Sequence, residues 1–159
     1  MSKKTLIVFN GEYDRVMAAF IIANGAAAMD DEVVMFFTFW GLSALRKDHV
    51  VEPPSKSKSF LQKMFGGMLP KGPESLPISN FNFGGAGRSM MKKVMKAENV
   101  MTVSELIETA KEQGIKMIAC TMSMDVLGIS KEELIDGIEY AGVATYLGEA
   151  DEANVNLFV

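Results

Sequence analysis

Thr5-Leu6-Ile7-Val8-Phe9 is an unbroken run of β-forming residues closed by Asn10-Gly11. A strand with one wet face alternates apolar and polar residues. This run does not, so it predicts a strand buried on both faces, the condition of a parallel sheet. The chain beyond it keeps an α/β rhythm. Asp14 is placed to cap a helix that runs to about residue 28 with few polar positions. Residues 32–39 predict a second buried strand, ending at Trp40-Gly41, and 42–47 a short helix. Further on, Thr102 or Ser104 caps a predicted helix over 103–113 that Gly114 ends, and 116–119 predict a strand that finishes on Cys120. Ser130-Lys131-Glu132-Glu133 has the form of a capping box and predicts a helix to about 140. Residues 142–147 predict a further strand, 149–154 a helical turn and 157–159 an edge strand. Strands alternating with helices, joined by right-handed crossovers, give an α/β, flavodoxin-like three-layer sandwich around a parallel sheet.

One stretch breaks the rhythm. Pro53-Pro54-Ser55 opens a Gly-, Pro-, Ser- and Asn-rich segment with Gly66-Gly67, Pro70, Gly72-Pro73 and Gly84-Gly85. Within it Phe60, Leu61, Met64, Phe65 and Met68 recur at helical spacing, as do Met90, Met91, Val94 and Met95, with lysines between them. Residues 53–101 therefore predict a partly flexible, Met- and Gly-rich insertion in an otherwise single domain spanning 1–159. Eight basic residues and one acid give 53–97 a charge of +7, against −11 on the rest and −4 overall. Such asymmetry points to an element with its own partner.

Bulk properties narrow the class. A chain of 159 residues, 48% hydrophobic, suffices for one core. A single cysteine excludes a disulfide scaffold and suits a reducing cytoplasm. No apolar run is long enough to span a bilayer, and no nucleic-acid partner is expected.

In parallel sheets, ligands and reacting groups lie beyond the carboxyl ends of the strands. That rule selects Asn10 to Asp14, Thr38 to Gly41 (with Trp40), Cys120 to Asp125 and Leu147 to Glu149, and only Cys120 is a strong nucleophile. Thr121-Met122-Ser123-Met124-Asp125 follows it. If these residues open a helix, their free N–H groups face the sulfur and favour thiolate, with Thr121, Met122, Ser123 and Asp125 as supporting residues. The alternative is a small buried hydrophobe. No Cys-x-x-Cys is present for exchange within the chain. The one histidine, His49, sits in a charged linker, which argues against a Cys-His hydrolase. One Cys and one His cannot build a zinc site, so no metal or cofactor is expected. The turn Asn10-Gly11-Glu12-Tyr13-Asp14 lacks the glycine pattern of a dinucleotide site and carries two acids that would repel a phosphate. Gly84-Gly85-Ala86-Gly87-Arg88 has no clear strand before it and reads as linker.

The segment Ala119-Cys120-Thr121-Met122-Ser123-Met124-Asp125-Val126-Leu127-Gly128-Ile129 resembles the cysteine segment of the DsrE/DsrF/TusD-like sulfur-relay family, in particular its longer DsrE-like, YrkE-like branch. Met17 to Ala26, Thr38-Phe39-Trp40-Gly41-Leu42 and Glu132 to Gly137 support the resemblance, which covers nearly the whole chain. It implies homo-oligomers and a strand-end cysteine that accepts sulfane sulfur. It also implies exchange with rhodanese-like and TusA-like carriers, which places the sulfur on Cys120. The peroxiredoxin label attached to this branch finds no resolving cysteine here. The function expected is a sulfur carrier, a sulfurtransferase-type protein holding a persulfide on an accessible Cys120. The alternative is an oligomeric or membrane-peripheral scaffold that uses the basic amphipathic patches of 53–97, its cysteine incidental.

Overall fold

The computed structural model describes residues 1–50, 52–54 and 56–159. Five strands form one all-parallel sheet: β1 (Lys3–Val8), β2 (Glu32–Phe37), β3 (Lys116–Cys120), β4 (Glu139–Ala141) and β5 (Val155–Phe158), in the order β4-β3-β2-β1-β5. The helices are α1 (Tyr13–Ala27), α2 (Phe60–Met68), α3 (Ala86–Ala97), α4 (Val103–Glu112), α5 (Thr121–Leu127) and α6 (Val143–Asp151). Leu6, Val8, Met35, Phe37, Met117 and Ala119 point to one face, where α1 and α4 pack as a pair and build the main core. Asn24 on α1 pins that pair through its amide, which donates to the Leu106 carbonyl at 2.9 Å. Val34, Phe36, Ile118 and Cys120 point to the other face, which α6 covers with Tyr146. This is the three-layer, flavodoxin-like arrangement that the continuous apolar strands call for. Among the described residues, no helix is long and apolar enough to cross a membrane.

Several local expectations are corrected. The helix over 13–27 has Glu12, two residues before Asp14, at its N-cap position, and the Asp14 carboxylate instead accepts bonds from the Ser79 backbone and hydroxyl. The second strand stops at Phe37, and a 3-10 helix, Phe39–Leu45, replaces the short helix expected over 42–47. The Ser130–Glu133 capping box forms but supports only one 3-10 turn, Lys131–Glu133. Leu134 is drawn into the core and bridges Arg46, Ile135 N bonds the Leu45 carbonyl, and Gly137 turns with φ +84°. These backbone groups are committed to strand-like pairing, so no helix can use them. Residues 142–147, expected as a strand, are the first part of α6, with Gly142 as its N-cap.

The insertion is built into the domain. Its Leu76, Ile78 and Met95 lie in the main core. Glu74 accepts from the Ser104 hydroxyl at 2.8 Å and pairs with Lys92 at 2.7 Å. Helix α2 crosses α5 where a Cβ on Gly128 would stand 2.3 Å from the Gln62 carbonyl oxygen; Gly128 also has φ +69°. Ser55, one of the residues that mark the break in the sequence, lies outside the described residues.

At the amino edge of the sheet Glu149 of α6 ties two strands together, with Lys3 Nζ at 2.5 Å and Lys116 Nζ at 2.7 Å. These two ammonium groups hold the Glu149 carboxyl below the usual carboxylate range, and Glu149 in turn raises Lys3. A depressed carboxyl contributes stability that is present above its unfolded pKa of about 4.3 and lost as pH falls through the folded value. Glu149→Gln should therefore lower stability at pH 7 by roughly 1.5–3 kcal/mol, and the gap to the native protein should narrow in acid. Urea melts at neutral and acid pH check this; a gap that is independent of pH would show that the ion pairs are not its source. The helix crossing supplies a matched pair of variants. Gly128→Ala should destabilise, while Gly67→Ala, whose Cβ would meet nothing within 4 Å, should stabilise by about 0.5–1 kcal/mol in thermal melts.

Candidate functional site

Cys120 is the last residue of β3 and the N-cap of α5, so the strand-end position expected of it holds. Its surroundings differ from expectation. The residue is 3% exposed and packs with Val34, Phe36, Ile118 and Tyr146, beside Ala141 of the edge strand β4. Strand alternation explains this: Cys120 shares the pleat of Ile118, and both point under α6. Tyr146 closes the space by stacking on Phe36, ring centroids 5.2 Å apart, with its hydroxyl 3.1 Å from Thr5 Oγ1. The thiol is therefore sheltered in an apolar pocket, and the accessible thiol of the sequence reading is not found in this structure.

The supporting residues separate into four places. Ser123 is buried, its hydroxyl 2.7 Å from Thr38 Oγ1, which joins the first turn of α5 to the end of β2. Thr121 and Asp125 line a groove between α5 and the insertion, together with Lys56, Lys58 and Lys131. The Asp125 carboxylate faces Lys56 at 3.8 Å, and its carbonyl accepts from Gln62 Nε2 at 2.6 Å. Met122 is exposed on the outer side of α5. Asn10 and Trp40 line a different cavity, with Glu12, Ser43 and prolines of the insertion. His49 lies in a third, beside Arg46 and Lys58.

Sequence reasoning missed Tyr146 because 142–147 looked like a strand; read as a helix, its one inward aromatic would have stood out. It also missed the anchor of the groove. Arg46, 3% exposed, donates to the carbonyls of Gly66 at 2.9 Å and Leu69 at 3.3 Å and pairs with Glu133 at 2.9 Å. Lys58 bonds the other oxygen of Glu133, which Ser130 N also reaches at 2.7 Å. Burial pushes the Glu133 carboxyl up, but the bonds from Lys58 and Ser130 prevail and hold it at about 2. No periodicity in the chain signals that Arg46 turns inward.

A model of the DsrE/DsrF/DrsH-like family matches residues 1–158. The chain is 55% identical over 157 residues to the uncharacterized protein YrkE of Bacillus subtilis, covering 99% of this chain and 96% of that one. It is 35% identical over 157 residues to the sulfur carrier protein DsrE2 of Allochromatium vinosum, covering 99% and 98%. Among solved structures, the YchN protein of E. coli superposes with a TM-score of 0.58 at 13% identity over the full length of both chains. A protein of unknown function from Methanobacterium thermoautotrophicum also gives 0.58, at 10% identity and 99% coverage of each. These two show the fold alone.

The burial of Cys120 sets its reactivity. Alkylation of the native protein should be slower than that of the unfolded chain at the same pH by about tenfold or more, because only transient opening exposes the sulfur. Tyr146→Ala should speed labelling, while Tyr146→Phe, which keeps the ring, should leave it nearly unchanged. Native and unfolded protein labelling at one rate would contradict this burial.

Proposed function

The chain belongs to the DsrE/DsrF/DrsH-like family, and on that premise we propose that it is a sulfur carrier that holds sulfane sulfur as a persulfide on Cys120. The single observation that carries this reading is the 35% identity, over nearly the full length of both chains, to a relative named as a sulfur carrier protein. It is supported by the chemistry at hand, since the chain has one cysteine and that cysteine ends a central strand.

The step needs no cofactor and no second cysteine. The Cys120 thiolate attacks the terminal sulfur of a donor persulfide, a new S–S bond forms as the donor's breaks, and the donor leaves as a thiolate. An acceptor thiolate then attacks the outer sulfur of the Cys120 persulfide and Cys120 leaves as thiolate, so sulfur moves with no net oxidation. Rhodanese-like proteins as donors and TusA-like carriers as acceptors fit this chemistry, which is that of a sulfurtransferase if it turns over. The apolar wall of Val34, Phe36, Ile118 and Tyr146 would keep a stored persulfide away from water and small thiols. Loading then requires a partner, or a fluctuation, that opens the face under α6.

The same face suits a homo-oligomer. One helix covers it, and Val143, Leu147 and Phe158 remain exposed. A second copy seated there would bury them and place Cys120 near a subunit boundary. A scaffold or membrane-peripheral reading draws on α2, which exposes Phe60, Leu61, Met64, Phe65 and Met68 beside Lys63; binding to anionic vesicles without sulfur loading would favour it.

Incubation with polysulfide or a persulfidated rhodanese should add one sulfur, about 32 Da, removable by reductant, as thiol–persulfide exchange requires. Cys120→Ser should stay folded and lose the adduct. An adduct of equal yield in that variant would end the carrier reading.

A further inference from the structure

The insertion carries a turn that serves neither the sheet nor the cysteine. Residues 79–85 lead into the start of α3 and hold Phe81 and Phe83, each 77% exposed. Both have left-handed backbones, with φ +59° and +44°. That conformation is costly for an aromatic residue and persists only where the surroundings impose it, often at functional sites. The surroundings here are specific. Asp14 Oδ1 accepts from Ser79 N at 2.8 Å, and Asn82 Oδ1 accepts from Ile78 N at 3.3 Å. The Asn82 carbonyl accepts from Gly85 N and Gly87 N, both at 2.9 Å. A Cβ on Gly87 would stand 1.8 Å from the Phe81 carbonyl oxygen, so the loop is pressed onto the first turn of α3. Ile78 before it and Met95 after it lie in the main core. The chain thus holds backbone strain that keeps two rings, centroids 6.2 Å apart, in water.

What adjoins the rings is apolar and then basic. With about 3.6 residues per helical turn, Met90 and Val94 lie beside Gly87 on α3, and Lys93 lies beyond Met90. Met90 and Val94 are both exposed. Lys92 is committed to Glu74, and Arg88 donates to the Ser75 carbonyl at 2.8 Å. Lys93 and Lys96 are exposed, and no acid pairs with them among the described residues. Glu98 stands at the C-cap, the end of α3 away from the rings. At the tip of the turn a Cβ on Gly84 would meet nothing within 4 Å, so the rings project from an open surface.

We propose that the Phe81–Phe83 turn and the outward face of α3 dock the protein on an anionic lipid bilayer, the rings entering the acyl boundary and Lys93 and Lys96 meeting headgroup phosphates. Interfacial binding needs this order, apolar groups at the tip and lysines on the flank. A bilayer accepts projecting rings without a matching cavity. The same surface of a second copy would set Lys93 and Lys96 against their own kind. Single-stranded nucleic acid would stack on the rings and contact the lysines, but it gives Met90 and Val94 no role. The proposal goes beyond sulfur carriage, uses a surface other than the apolar side of α2, and does not need the cysteine to be incidental. Ile78 and Met95 join the core on the side of α1 and α4, whereas Cys120 points to the opposite face under α6, so a docked carrier keeps that face free.

Flotation of the full-length protein with vesicles of phosphatidylcholine and phosphatidylglycerol in equal parts should carry it upward. With phosphatidylcholine alone it should stay behind, and high salt should release it from the mixed vesicles. Phe81→Asn/Phe83→Asn should weaken binding by roughly tenfold or more, the loss of two buried rings. Asparagine accepts the left-handed backbone, so this variant keeps the turn. Lys93→Gln/Lys96→Gln should weaken binding by about twentyfold, at roughly fivefold for each lysine. A native protein that does not float overturns the proposal, as does equal binding to phosphatidylcholine alone. Binding that survives the phenylalanine pair but is lost in Phe60→Ser/Phe65→Ser also overturns it and places the contact on α2. Preference for a polythymidine oligonucleotide over the vesicles would mean a nucleic-acid surface instead. Cys120→Ser should float as the native protein does, so the result does not depend on whether Cys120 carries sulfur.

Discussion

The last strand of the chain pairs with the first, and the layout of the molecule depends on this. Strand β4 lies at one edge of the sheet and β5 at the other, so the single helix between them must cross β3, β2 and β1. One nine-residue helix cannot cover a face that two longer helices cover on the opposite side. It buries a single large side chain, Tyr146, and is fixed at its far end by Glu149 between Lys3 and Lys116. The cysteine lies under this thin layer. The asymmetry of the sandwich thus accounts for both the shelter of Cys120 and the ease with which that shelter could be opened, because few apolar contacts need to separate.

A buried arginine fastens the insertion to the body. Arg46 leaves the 3-10 helix, satisfies carbonyls near the C-terminal end of α2, and is neutralised by Glu133, which Lys58 from the insertion also holds. Removing one member would strand a charge in a low-dielectric site, and such losses run to about 3–5 kcal/mol. The lysine-rich segment and the acidic remainder meet here and at Lys56–Asp125, so the charge asymmetry of the chain is used in part within the domain. The apolar side of α2 faces outward and is not used in this way.

Where local sequence signals agreed with tertiary demands, the elements were legible. Thr102 caps α4 with Glu105 answering from three residues on, and Gly114 follows in a left-handed turn, as the motif requires. Where they conflicted, packing prevailed. The Ser130 box is complete in its hydrogen bonds, yet Glu133 also serves Arg46 and Lys58, and Leu134 is claimed by the core. A capping box reports that a helix can start; whether it continues depends on where the next apolar residue has to go. Residues 142–147, rich in Val, Ala, Thr and Tyr, have the composition of a strand but follow a three-residue strand that already occupies the sheet edge.

By itself the sequence determined the parallel sheet, because runs such as Thr5 to Phe9 and Glu32 to Phe37 can satisfy their hydrophobicity only when both faces are covered. It also determined that Cys120 ends a strand, since the run 116–119 is encoded locally, and left conditional the helix after it, which α5 supplies. The tertiary structure alone decided which way the sulfur points and what lies over it. Strand order and helix crossing join Cys120 to Phe36 and Tyr146, which are far apart in the chain, and move Asn10 and Trp40 into a cavity of their own. Such neighbours are set by the closure of distant segments, whose free energy is a property of the packed whole and has no local signature.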